Sequence, residues 1–100
     1  MKAVEISISP PVYYQMTDKR AGVYSISQEI LPGEGLVDLI SRLASSSPKA
    51  WDGVYDVRKG RFHGTVLVAL NDILIPNIDD DKSVLSNGDR ISIYNMYVGG

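Results

Sequence analysis

The sequence predicts an α+β domain in which one main helix packs across a mixed sheet of four to five strands. Three observations carry this. Residues 3–9 and 22–30 alternate apolar and polar side chains, the period of two of a strand with one buried face. Residues 36–43 instead carry apolar side chains at i, i+3, i+4 and i+7, the stripe of an amphipathic helix. Residues 65–96 return to strand-like runs separated by turn residues.

In the first segment Val4, Ile6 and Ile8 alternate with Glu5, Ser7 and Ser9. Pro10-Pro11 stops it, because proline donates nothing to a ladder. Residues 10–21 are a connection, and Gly22 opens a second strand in which Tyr24, Ile26, Gln28 and Ile30 alternate with Ser25, Ser27 and Glu29. Two adjacent alternating strands predict an antiparallel hairpin. Leu31-Pro32-Gly33-Glu34-Gly35 is a turn by composition.

Leu36, Leu39, Ile40 and Leu43 then form the helical stripe, widened by Val37, and Ser45-Ser46-Ser47-Pro48 ends it. Glu34 and Asp38 fall near its start, where the helix dipole favours negative charge. This is the single helix expected. Residues 48–64 are polar and glycine-punctuated; Trp51 is expected to pack over the helix end, and Val54–Val57 with Arg61–His63 to form a short hairpin around Lys59-Gly60.

The continuous apolar run Thr65–Leu70 reads as a central strand buried on both faces. Asn71-Asp72 turns into the short strand Ile73-Leu74-Ile75, which Pro76 ends. Residues 77–85 are loop or a single helical turn, and Asn87-Gly88-Asp89 is a strong turn signal. Arg90–Met96 is the last strand, with Ile91 and Ile93 on the core side and Ser92 and Tyr94 on the other. A hairpin, a crossing helix and a returning central strand make the β-grasp arrangement, the helix spanning the sheet so that a parallel strand returns beside the first.

Composition narrows the function. The chain has 100 residues, 44% of them hydrophobic, enough for one core and expected to form one domain over residues 1–98 with an exposed tail at 99–100. The absence of cysteine excludes disulfides, thiolate metal sites and cysteine nucleophiles. No apolar run reaches the eighteen or so residues of a membrane span, and no targeting segment is evident at Met1–Glu5, so a cytoplasmic protein without a membrane partner is expected. A formal charge of −2 gives no general electrostatic case for nucleic acid.

Chemistry-bearing residues are sparse. His63 has no partner at metal-ligand spacing, Asp79-Asp80-Asp81 lacks the glycine and final glutamate of a calcium loop, and no glycine pattern cradles a phosphate. No catalytic residue and no metal site are therefore expected. Arg58-Lys59-Gly60-Arg61 reads as a charged hairpin tip.

The stretch Leu85-Ser86-Asn87-Gly88-Asp89-Arg90-Ile91-Ser92-Ile93, followed after a few positions by Gly99-Gly100, resembles the C-terminal signature of the MoaD/ThiS sulfur carriers. The resemblance is strong over residues 65–100 and extends upstream by pattern, and in length the chain is closest to the molybdopterin synthase small subunit and ubiquitin-related modifiers. It departs in having Asn71-Asp72 where the family often has Asn-Gly, and no proline in Asn95-Met96-Tyr97-Val98.

The resemblance implies a ubiquitin-like β-grasp protein, a substrate and carrier rather than an enzyme, whose Gly100 carboxylate a ubiquitin-activating-type adenylating enzyme activates with ATP and magnesium. Sulfur delivery would then give a thiocarboxylate, most simply for molybdopterin biosynthesis with the large synthase subunit as partner. A thiamine or tRNA-thiolation pathway, or conjugation of the same tail to lysines, shares this terminus. Glycine at 99 and 100 suits passage of the tail through a narrow channel, since it lacks a Cβ. Met96, Tyr97 and Val98 before the tail, and Tyr94 on the sheet, are the expected partner-binding residues, because aromatic side chains often anchor interfaces.

Overall fold

The first alternating segment forms strand β1 (Ala3–Ile8), with Val4, Ile6 and Ile8 buried and Glu5 exposed. The computed structural model describes residues 2–9 and 24–95. The connection expected over residues 10–21, the strand opening at Gly22 and the tail lie outside the described residues. Strand β2 (Tyr24–Glu29) pairs antiparallel with β1, in register Val4↔Gln28 and Ile6↔Ile26.

The helical stripe forms α1 (Leu36–Ser46), which buries Leu36, Leu39, Ile40 and Ala44. A second, one-turn helix, α2 (Pro48–Trp51), was not expected. Pro48 ends α1 and also opens α2, because the fixed φ of proline suits a first helical turn. Trp51 is buried against the core. Strands β3 (Tyr55–Asp56) and β4 (Arg61–Phe62) form the expected hairpin as a separate two-stranded sheet. Strands β5 (Val66–Leu70) and β6 (Ile73–Leu74), a 3₁₀ turn at Ile78–Asp80, and β7 (Arg90–Asn95) complete the chain.

The main sheet has the order β2-β1-β7-β5-β6, an α+β architecture with one main helix. This corrects one expectation. The strand beside β1 is β7, in parallel register Ile6↔Ile91 and Ile8↔Ile93, while β5 lies outside it, antiparallel, with Val68 opposite Ile93. The unbroken apolar run of β5 therefore does not mark the centre. Val66 and Val68 share the register of the core-facing isoleucines, and Leu67 and Ala69 take the opposite parity. Ile6, Ile8, Val68, Ile91 and Ile93 of the sheet and Leu36, Leu39 and Ile40 of α1 are fully buried in one cluster, each contributing about 1.5–3 kcal/mol.

Glu34 is the one buried charged residue among the described residues. Arg42 grips it with two nitrogens, Nε to Oε2 at 2.8 Å and Nη2 to Oε1 at 2.9 Å. Oε1 also accepts the Leu31 N–H at 3.0 Å, and Arg42 Nη2 donates to the Glu29 carbonyl at 3.2 Å. Glu34 is thus a staple between the end of β2, the turn and the second turn of α1, not the dipole partner that its position suggested. Asp38 takes the helix-start role alone, accepting the Gly35 N–H at 3.1 Å. Gly35 is required by packing, since a Cβ there would lie 2.9 Å from the Ser83 carbonyl oxygen.

The Asn71-Asp72 turn holds both residues at positive φ, +50° and +68°. Asn71 tolerates this, and its side chain clasps the start of β7: Oδ1 accepts the Arg90 N–H at 2.9 Å and Nδ2 donates to Asp89 Oδ1 at 3.0 Å. Asp72 has only an exposed ion pair with Arg90 in return.

Two outcomes follow for stability. The Arg42 hydrogen bond, opposed by burial, holds the Glu34 carboxyl below its ordinary value of 4.5. Its contribution is complete above that value and is lost as pH falls through the lower folded value. Glu34→Gln is expected to cost about 2 kcal/mol at neutral pH in urea unfolding, and to flatten the loss of stability seen in the wild type below pH 4.5. Asp72→Gly, restoring a residue at ease with positive φ, is expected to raise stability by about 0.5–1 kcal/mol; an unchanged urea midpoint would refute the strain.

Candidate partner-docking face

The alternation of β7 sends Ile91 and Ile93 into the core and leaves Ser92 and Tyr94 on the sheet's open face. Register then gathers the neighbours. Leu67 of β5 stands opposite Tyr94, Ala69 opposite Ser92, and Leu74 of β6 opposite Ala69. Tyr94 is 43% exposed and Leu74 51%, Leu67 is half-buried, and Ala69 is buried beneath its neighbours although it lies on the face away from the main core. Ile73, 71% exposed, pairs with Leu70 and so takes the opposite parity, on the helix side of the sheet edge.

The other half of the face is polar. Glu5, Ser7, Ser25, Ser27, Ser92 and Arg90 share it through the registers of β1, β2 and β7. Ser25 Oγ donates to Glu5 Oε1 at 3.1 Å. The face is thus divided into a serine-rich half and a half built on Tyr94, Leu67 and Leu74. Such an aromatic and aliphatic patch can anchor a protein partner, its apolar area gaining from removal from water.

The structure places Tyr94 as expected. The other expected site residues, Met96, Tyr97, Val98, Gly99 and Gly100, lie outside the described residues. Leu67 and Leu74 were not anticipated. The uniform apolarity of β5 hides which side Leu67 faces, and only the register of a two-residue strand brings in Leu74.

The remaining chemistry-bearing residues are dispersed. His63 is exposed, with Nε2 2.5 Å from the Asp52 carbonyl oxygen. Asp79 Oδ1 accepts the Phe62 N–H at 2.8 Å, and Asp81 accepts from Ser83 N–H and Oγ. The aspartate run therefore serves as backbone and turn anchors. Among the described residues no three His, Asp or Glu side chains are grouped as a metal site would need. No helix among them is long and apolar enough to cross a membrane.

No family model matches the chain, and no curated protein sequence matches it. Solved structures do. Small archaeal modifier protein 1 from H. volcanii is similar at TM-score 0.71 and 11% identity, over 97% of this chain and 100% of that one. Urm1 from Trypanosoma brucei is similar at TM-score 0.67 and 15% identity, over 99% and 96%. A putative molybdopterin converting factor, subunit 1, from Pyrococcus furiosus is similar at TM-score 0.54 and 17% identity, over 94% and 99%. At these identities the likeness establishes the fold, and the fold is the ubiquitin-like β-grasp.

Because Tyr94 and Leu74 each leave about half their surface in water, they contribute little to the fold. The double variant Tyr94→Ser/Leu74→Ser is expected to lower urea stability by about 1–2 kcal/mol and leave the domain folded, whereas Ile93→Ser, in the same strand but fully buried, should unfold it.

Proposed function

We propose that this ubiquitin-like β-grasp chain is a sulfur carrier, with the carboxylate of Gly100 as its reacting group. The observation that carries the reading is the position of the apolar half-face. Tyr94 stands one residue before the end of β7, and only residues 96–98 separate that strand from Gly99-Gly100. A partner bound on Tyr94, Leu67 and Leu74 would have the tail within its reach.

The chemistry is that of an unactivated carboxylate, which is a poor acylating group because oxide leaves badly. A carboxylate oxygen of Gly100 attacks the α-phosphorus of ATP on an adenylating enzyme, and pyrophosphate leaves. Magnesium and ATP belong to that enzyme. Hydrosulfide attacking the carbonyl carbon then displaces AMP and, after losing its proton, leaves a thiocarboxylate. The chain is the substrate of both steps and contributes recognition and a side-chain-free tail. Supply of sulfur to molybdopterin synthesis, through a large synthase subunit, is the favoured destination, in keeping with the likeness to a putative molybdopterin converting factor subunit. Other acceptors, in thiamine or tRNA thiolation, use the same terminus.

One observation favours a second reading. A similar structure belongs to a protein named as a modifier. On the same acyl-adenylate a lysine amine in place of the sulfur nucleophile displaces AMP and gives an isopeptide.

Intact-mass spectrometry of the protein from its own cells tests the proposal. A species about 16 Da heavier than the encoded chain, assigned by fragmentation to Gly100 rather than to oxidised Met1, Met16 or Met96 and absent after deletion of Gly99-Gly100, is expected. A plain carboxylate together with lysine conjugates would transfer the assignment to the modifier reading. With an activating enzyme in hand, Tyr94→Ala is expected to raise KM for adenylation about tenfold and leave kcat near its wild-type value.

A further inference from the structure

The hairpin tip Arg58-Lys59-Gly60-Arg61 has no part in the fold's ion pairs. Arg58, Lys59 and Arg61 are exposed, and the ion pairs among the described residues are Glu34–Arg42 and Asp72–Arg90. The nearest carboxylates each accept a backbone N–H. Asp56 stands opposite Arg61 in the ladder, but its Oδ1 accepts the Lys59 N–H at 3.1 Å. Asp79 is held by the Phe62 N–H. Among the described residues these three cations thus form no ion pair, and Asp56, opposite Arg61 and beside Lys59, is the one carboxylate of the hairpin itself.

The tip is also held rigidly. Tyr55 and Phe62, both buried, meet edge to face with ring centres 5.1 Å apart. The His63 N–H donates to the Val54 carbonyl, and Gly60 turns the chain at φ +64°. With the backbone so held, docking of an anion has only the side chains of these cations to order.

Topology brings the base of the hairpin toward the end of β7. Strand β4 leads through residues 63–65 into Val66, which pairs with Asn95 at the end of β7. Five residue steps from Arg61 to Val66 span at most about 17 Å, and paired strands lie about 5 Å apart. Residues 96–100 have a similar reach of about 17 Å when extended.

We propose that Arg58, Lys59 and Arg61 form an electrostatic docking element for an acidic surface of the protein that handles the tail, separate from the apolar anchor around Tyr94. The proposal rests on the carrier reading for the identity of that protein, and names its chemistry. The surroundings favour a compact acidic protein patch over a nucleic acid. Asp52, Asp56, Asp79 and Asp80 belong to the base of the hairpin and the adjoining 3₁₀ turn, where they would repel an extended polyanion but leave the tip open to a local cluster of carboxylates. Such an element acts chiefly on encounter, so its effect is a salt-dependent association rate.

Two measurements test it. In the first, a short polyglutamate peptide is titrated into the labelled full chain at low salt. Amide shifts confined to residues 57–63, abolished by high salt and by Arg58→Glu/Lys59→Glu/Arg61→Glu, are expected. No shifts, shifts spread equally over Lys2, Lys49 and Lys82, or stronger binding of a single-stranded oligonucleotide of equal charge at the tip would overturn the proposal. Because Arg61 faces Asp56, Arg58→Gln/Lys59→Gln serves as a variant that keeps the hairpin's own pairing. In the second, adenylation by the activating enzyme is followed against salt. The charge-reversed chain is expected to show KM raised at least tenfold at low salt, with kcat and the urea midpoint unchanged and the salt dependence flattened. Equal KM values would overturn the docking role. A wild-type chain that is never adenylated would refute the carrier reading alone, and the peptide titration would still decide the tip.

Discussion

The core and the open face of this molecule both depend on the register of β7. That strand is hydrogen-bonded along both edges, parallel to β1 and antiparallel to β5. Its entry is fixed from several directions. The Gly88 N–H donates to the Ala3 carbonyl, the Ala3 N–H to Asn87 Oδ1, the Glu5 N–H to the Asp89 carbonyl, and the Asn71 side chain closes on Arg90 from the other edge. A slip of one residue would turn Ile91 and Ile93 out to water and Tyr94 into the core. The same bonds therefore decide the contents of the core, the character of the open face and the point from which the tail departs.

The helix is fixed by a different device. Parallel pairing of β1 with β7 needs the chain to cross one face of the sheet, and α1 makes the crossing with its apolar stripe inward. Glu34 and Arg42 then tie the end of β2 to the body of that helix through hydrogen bonds that leave neither Glu34 oxygen unpaired. The bridge to Val84 at Gly35 adds the loop before β7 to the same junction. One face is thereby covered by the helix, and the opposite face is left to its own side chains. That asymmetry is what makes the open face available to a partner.

Much of this was legible in the sequence because it rests on local periodicity. The period of two in residues 3–8 and 90–94 specified both strands and the outward position of Tyr94, and the spacing of Leu36, Leu39, Ile40 and Leu43 specified the helix. What escaped depends on contacts between distant residues. An apolar run such as Val66–Leu70 arises equally in a central strand and in one whose outer side is covered by a neighbour's leucine, so it misled about sheet order. The Glu34–Arg42 pair spans eight residues and matches no helical spacing, because one member lies in the turn before the helix. Pro48 carried two meanings, a stop for one helix and a start for another. In the site, Leu67 and Leu74 became visible only when β5 and β6 acquired a register.

The parallel seam between β1 and β7 also governs the order of folding. Its pairs, such as Glu5↔Arg90 and Ser7↔Ser92, join residues from opposite ends of the described chain. Closing so long a loop carries a larger entropic cost than closing either the β3–β4 hairpin or the β5–β6 hairpin, whose partners lie within a few residues of one another. Local ribbons are accordingly favoured early and the seam late. Until the seam closes, β1 and β7 are unpaired edges open to wrong association. The arrangement also has a kinetic benefit. Tyr94 and Leu67 share a surface only once β5 and β7 are paired, so a partner that binds that surface selects chains that have finished folding.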